Sequence, residues 1–409
     1  MDMKYKLLYW FYPLLFCVAF LQAKAILPPY YLPTEGSLIW PFRLVLLYYG
    51  IRAFRMYHNK IPILSVFVVY AIASGIMYII KEAPLDLYFI SCAFFISGVL
   101  MAYVGFDISE KIDLFNKIFL YSCLSVFIVG IFLHFYRPDW YTTCIINAYS
   151  LKSGETAEAH KILEWVRFGS FLGDSYAIQY LTISSLPICL YFFRLSQKYR
   201  KKLYLLCAVF IVLAALLSMQ RTAMVCVLFT IFFFIFCYYR KYFFVSVIFL
   251  AILVVLLYMI AYYSGQDKLI EDIIDKFSSL SNAYSEREDQ RIQIIQHWNN
   301  YIFGEGTGIG GGLAVKKGLP GISDGTYFEF LYEYGIVGFL VFMAFIVKLV
   351  KKLKSYPTVL FVEICTIFGV LLAMVGASPF VYPFYMIPFW MCVGRVFNKN
   401  YIIYRQNNF

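Results

Sequence analysis

The sequence predicts an all-α, polytopic integral membrane protein, with about twelve transmembrane helices and a long outer loop carrying amphipathic helices. Three observations predict it. Hydrophobic residues make up 62% of the 409-residue chain and charged residues only 14%, whereas a soluble domain carries about 25% charge. Apolar stretches of the roughly 20 residues that a spanning helix needs recur along the chain. The basic residues gather in alternate connections, as the positive-inside rule requires. A soluble enzyme, a disordered regulator and a coiled coil are excluded, and residues 1–409 read as one transmembrane domain.

The expected spans are 5–27, 37–57, 61–80, 86–105, 115–135, 174–194, 203–220, 222–239, 242–263, 325–347, 357–376 and 379–397. The stretch 37–57 is the weakest, because it holds Pro41, Arg43 and Arg52. The first ends in Ala23-Lys24-Ala25, which resembles a signal-peptidase site, but its length and the spans that follow favour an uncleaved first helix. With the N-terminus placed in the cytoplasm, 21 of the 35 basic residues fall on the cytoplasmic side with four acids. The outer side receives 14 basic residues and 19 acids. The net charge of +11 is therefore a topology signal rather than a nucleic-acid footprint. Both termini are expected in the cytoplasm, and Glu363 is expected inside a span.

Two segments, 136–173 and 264–324, are too long for turns, and both are expected on the periplasmic side. Within the second, Leu269, Ile270, Ile273, Ile274, Phe277 and Leu280 share one helical face. A second helical pattern runs from Arg287 to Phe303. Nine of the ten cysteines lie in apolar stretches with no CxxC spacing, and the four histidines show no metal-ligand spacing.

Several outer-side cations are not needed for topology: Arg43 in span two, Arg167 ending the first long loop, Arg221 in a tight turn, and Arg287 with Arg291 four residues apart. The planar arginine fork matches phosphate oxygens, so these point to an anionic ligand such as a lipid pyrophosphate. Snorkelling to headgroups, or pairing with neighbouring acids, is the plain alternative for Arg43 and Arg287. The run Phe303 to Gly312 contains a literal GxGxxG at Gly306, Gly308 and Gly311. No strand pattern precedes it, so a nucleotide fold is rejected. Its backbone is read either as a nest for an anion or as a slack loop.

Four landmarks follow in order: Arg167-Phe-Gly-Ser-Phe-Leu-Gly-Asp-Ser-Tyr-Ala; Ser218-Met-Gln-Arg221-Thr-Ala; Arg291, Trp298 and Phe-Gly-Glu-Gly-Thr-Gly; and Asp324-Gly-Thr-Tyr-Phe-Glu-Phe-Leu-Tyr-Glu-Tyr-Gly-Ile-Val-Gly338. Together they resemble the O-antigen polymerase/ligase superfamily of bacterial surface-polysaccharide assembly, over about residues 167–347. The resemblance implies a metal-independent, cofactor-free glycosyltransferase. It would join undecaprenyl-pyrophosphate-linked donor and acceptor repeat units among membrane lipids, leaving room for a chain-length regulator. It also implies that Arg221, Arg291 and Asp324 act in catalysis. Arg167, Arg287, Arg43, Trp298, Gly306, Gly308, Tyr327 and Glu329 would bind substrate.

Ligases of the superfamily carry a histidine-asparagine pair where this chain has Asp324-Gly325. That favours a polymerase of the Wzy type over a ligase. Asp324 or His297 then stands as candidate base, unless the donor pyrophosphate orients the acceptor alone. Glu329 and Glu333 are read either as binding sugar hydroxyls or as pairing with arginines. A flippase or other transporter is a third reading, disfavoured by the absence of a visible internal repeat.

Overall fold

A computed structural model describes residues 5–24, 40–81, 84–108, 112–143, 168–244, 292, 295–296, 298–310, 314 and 325–407. These residues are helical, with no strand among them. The helices are α1 (Lys6–Ala23), α2 (Trp40–Tyr57), α3 (Pro62–Ala73), α4 (Ile76–Ile80), α5 (Leu85–Val99), α6 (Met101–Asp107) and α7 (Ile112–Tyr136). They continue with α8 (Ser175–Leu195), α9 (Lys198–Leu217), α10 (Arg221–Tyr238), α11 (Thr326–Lys354), α12 (Phe361–Gly376), α13 (Ile387–Phe397) and α14 (Lys399–Asn407). Seven described helices are long and apolar enough to cross a membrane, taking α3 with α4 and α5 with α6 as continuous passages. The protein is thus a multi-pass membrane protein. Helices α2 and α9 match expected spans but fall outside those seven, since α2 carries Arg43, Arg52 and Arg55, and α9 opens on Lys198, Arg200, Lys201 and Lys202. The expected span 242–263 lies outside the described residues beyond Phe244.

The last expected span is corrected. Instead of one helix over 379–397, a single 3-10 turn at Pro379–Val381 leads through a turn into α13, which starts at Ile387. Pro379 and Pro383 lack the N–H that an earlier start would use. The second helical pattern is also shorter than expected, because residues 298–300 are not helical and 301–303 form a turn.

Helix α8 sits centrally, packed on α9, α10 and α12, while α13 lies against α6 and α11 against α3. An aromatic knot of Phe67, Phe95, Phe330, Phe342 and Tyr334 joins α3, α5 and α11. Without a hydrophobic drive between helices in lipid, such close packing and interhelical hydrogen bonds must hold the bundle.

Glu363, expected within a span, occupies the first turn of α12 and is neutralised there. Arg395 Nε of α13 lies 3.1 Å from its carboxylate, and Tyr401 donates to it at 2.7 Å. Arg405 donates to the Tyr401 hydroxyl at 2.8 Å and pairs with Asp113 of α7 at 3.0 Å. Two cations and two carboxylates thus pin α14 into the bundle end, and mutual neutralisation makes their burial tolerable.

Candidate active site

The centre of the site is a break in α11. Gly335, at φ 62° and ψ −173°, leaves helical geometry while the helix continues on either side. A break frees the carbonyls before it and the N–H groups after it, and each must find a partner in a membrane. The glycine-rich segment supplies them. Ile336 N–H donates to Tyr301 O at 2.9 Å and Val337 N–H to Ile302 O at 3.1 Å. In return, Tyr332 O accepts from Glu305 N–H at 3.0 Å and Glu333 O from Gly306 N–H at 2.9 Å. The Phe-Gly-Glu-Gly-Thr-Gly and Glu-Tyr-Gly motifs, about 25 residues apart in sequence, are therefore one structural unit.

Close approach explains the glycines. A Cβ on Gly304 would stand 2.3 Å from Glu333 O, and one on Gly308 would stand 2.1 Å from Ser91 Oγ. The loop is also sewn to the α3–α4 break: Thr307 Oγ1 donates to Ala71 O at 2.9 Å, and Tyr78 donates to Thr307 O at 2.7 Å. The segment is a fitted plug, which disposes of the slack-loop reading. Its N–H groups do cradle an acceptor, and that acceptor is the protein's own: Gly308 N–H and Gly310 N–H donate to Glu333 Oε1 at 2.7 and 3.3 Å. Glu333→Gln keeps an acceptor oxygen for both N–H groups, so it should cost only about 1 kcal/mol. A detergent-phase melting midpoint unchanged in Glu333→Ala would show that this bond does not hold the loop.

Glu305 fixes the loop's outer edge. It accepts from Asn299 and Asn300 N–H at 2.8 and 2.9 Å and pairs with Lys81. Partial burial pulls the Lys81 ammonium below its usual pKa. Trp298 is half-buried, donates to Asn300 O at 3.1 Å and packs against Tyr301 and Tyr332.

Beneath the loop lies a small cavity of about 60 Å³. Its walls include Ser91, Thr307 and Gly308, the carboxyls of Glu329 and Glu333, and the rings of Phe94 and Phe380. Arg43, only 3% exposed, stacks its guanidinium 3.8 Å from the centre of the Phe94 ring. The structure thus brings Arg43, Gly308 and Glu329 to one place. Tyr327 instead bridges α11 to α12 through Leu371 O at 3.0 Å.

A chain of contacts leads from this cavity to Arg221. Ser378 donates to Glu329 Oε2 at 2.8 Å. Four residues on, Tyr382 donates to Asp174 Oδ2 at 2.8 Å, while Asp174 Oδ1 caps α8 by accepting from Tyr176 N–H. Ser175 accepts from Gln220 Nε2 at 2.8 Å, and Arg221 follows as the half-buried first residue of α10. The turns on either side of this chain hold non-glycine residues at positive φ, Ser170 at 54° and Met219 at 52°. Phe168 N–H donating to Leu217 O at 2.9 Å ties the two turns together. Backbone strain of this kind costs about 1–3 kcal/mol per residue and persists where its surroundings over-determine it. Arg167, Arg287, Arg291, Asp324 and His297 lie outside the described residues.

Residues 206–343 match the family model described as O-antigen ligase. This match, over about a third of the chain, supports the O-antigen polymerase/ligase superfamily. No curated protein matches the chain. The superfamily segment contains Arg221, the glycine loop and the Gly335 break. The cavity and the strained turn before Arg221 therefore border one matched unit. Sequence reasoning missed Asp174, Ser378 and Tyr382, which join the superfamily segment to α8. Asp174 had one readable signal, since an aspartate directly before a helical pattern reads as an N-cap.

Proposed function

We propose that this protein polymerises undecaprenyl-pyrophosphate-linked oligosaccharide repeat units into O-antigen or a related surface polysaccharide. The reaction takes place on the outer face of the inner membrane, and both chain termini lie in the cytoplasm. The observation that carries the reading is the family match over a segment whose two motifs, 25 residues apart, interlock beside a cavity with buried carboxylates. An acceptor sugar hydroxyl attacks the donor's anomeric carbon. The bond from that carbon to the pyrophosphate oxygen breaks, and undecaprenyl pyrophosphate leaves with the electron pair. The hydroxyl proton passes to a base, for which Asp324 stands first. Arg221 and Arg291 stabilise the charge growing on the leaving group, with Arg167, Arg287 and Arg43 contributing to pyrophosphate binding. Glu329 takes a sugar hydroxyl presented at the cavity.

Asp324-Gly325, in place of the ligase histidine-asparagine pair, supports a polymerase. The description printed for the family favours the second reading, a ligase acting on lipid A core. The glycan pattern of a deletion strain separates them. A single repeat unit on core means polymerase; bare core with polymer held on carrier lipid means ligase. With purified protein and a lipid-linked repeat unit, Arg291→Ala should stop turnover while EDTA leaves the wild type active. Loss of wild-type activity on chelation would overturn metal independence.

Topology is tested by labelling single cysteines from outside, in a cysteine-free background. Position 316 should react and position 200 should not. The reverse pattern would invert the protein in the membrane.

A further inference from the structure

At the far end of the bundle, a groove of about 610 Å³ opens between the ends of α2 and α6 and the α13–α14 junction. Lys60, Lys399 and Asn400 line it, with Tyr57 and Asp107 opposite. Its one acidic wall residue is already engaged, as Asp107 accepts from Tyr57 at 2.7 Å and from Tyr5. The floor is rigid: Asn398 donates to Phe106 O at 2.7 Å and caps α14 by accepting from Asn400 N–H at 2.9 Å. A third ammonium, Lys352 of α11, stands 5.4 Å over the ring of Phe397, another wall residue, with Lys399 and Lys348 near enough to repel it. Among the described residues no carboxylate comes within ion-pair distance of Lys60, Lys352 or Lys399. Like charges gathered around one concavity, with no described carboxylate paired to them, are complementary to an anion from outside.

We propose that this groove binds the phosphate headgroup of an anionic phospholipid. A lipid is favoured over a free phosphate because the groove sits at the ends of membrane-spanning helices. Val347 and Val350, beside Lys348 and Lys352, are 49% and 47% exposed, and Met56, next to Tyr57, is 47% exposed. These apolar side chains offer a surface on which acyl chains would lie below the headgroup. Lys60 and Lys399 would contact the phosphate oxygens, and Lys352, held on the Phe397 ring, would add its charge from the side. The site is separate from the proposed glycan chemistry, which occupies the opposite end of α11.

The test uses purified full-length protein, stripped of lipid and titrated with phosphatidylglycerol or phosphatidylcholine, with bound lipid counted by native mass spectrometry. Phosphatidylglycerol should be retained at concentrations where phosphatidylcholine is not. Replacing Lys60, Lys352 and Lys399 together by alanine should weaken retention about 100-fold, since each lysine near an anionic headgroup contributes about a fivefold gain. The matching triple arginine variant keeps the charge and should keep the lipid, which separates loss of charge from loss of fold. Equal retention by wild type and alanine variant would overturn the proposal. Displacement of phosphatidylglycerol by inorganic phosphate alone would also overturn it, assigning the groove to a soluble anion. No readout depends on glycan transfer, so failure here leaves the proposed function untouched.

Discussion

Arg221→Ala is expected to abolish polymer while leaving the protein at near-normal level. Arg221 opens α10 directly after the strained Met219 turn, and its neighbour Gln220 is tied to Ser175 on α8. The guanidinium therefore starts from a backbone that is fixed before substrate arrives. Losing one preorganised charge aimed at a leaving group costs about 2.7–4 kcal/mol, or roughly 100–1000-fold in rate. Its half-buried setting at the end of an apolar helix makes folding largely indifferent to it. Arg221→Lys should recover only part of the activity, because an ammonium lacks the planar fork. Turnover of a purified lipid-linked repeat unit measures this. Long chains at normal rate from the alanine variant would remove Arg221 from the mechanism.

Gly335→Ala should prevent accumulation of folded protein. Its added methyl would stand 2.4 Å from Ile302 O and 2.5 Å from Gly304 N, both backbone atoms that cannot swing aside. The positive φ adds about 1–2 kcal/mol of its own. The variant must part the loop from α11 and orphan the exchanged hydrogen bonds, each costing about 1–3 kcal/mol when buried. Together these put the loss above about 4 kcal/mol. Gly325→Ala is the internal control. It shares a positive φ of 114°, but among the described residues its methyl would meet only Val375 O at 3.6 Å. It should fold, with a modest fall in melting midpoint measured by fluorescence-detected size exclusion. Comparable midpoints for the two variants would show that conformation alone, and not the loop contact, sets the cost.

The contrast marks what sequence could and could not disclose. Helices α1, α7 and α8 follow from apolar length alone, because lipid demands it. The short α13 was misread because hydropathy does not register that Pro379 and Pro383 withhold N–H groups. Glu363 read as a lone charge within a span because its partners, Arg395 and Tyr401, lie more than 30 residues away. The glycine run reads in sequence as either a nest for an anion or a slack loop, and the group its N–H donors hold is the side chain of Glu333. Only tertiary structure pairs those residues. A readable hint existed in the alternation of Gly304, Gly306 and Gly308 ahead of a Glu-x-Gly, since a helix broken at glycine needs an equally irregular partner.

The exchanged bonds at Gly335 also bear on how the protein is made. Helix α11 cannot enter the bilayer as a finished cylinder. Until Tyr301, Ile302, Glu305 and Gly306 are in place, four of its backbone groups would meet hydrocarbon unsatisfied. The loop emerges from the ribosome before α11 does. It must therefore be docked already on Ser74 and Tyr78 to receive the helix as it arrives. Biogenesis of this half of the molecule is a capture event, and the chain's order of synthesis matches the order that capture needs.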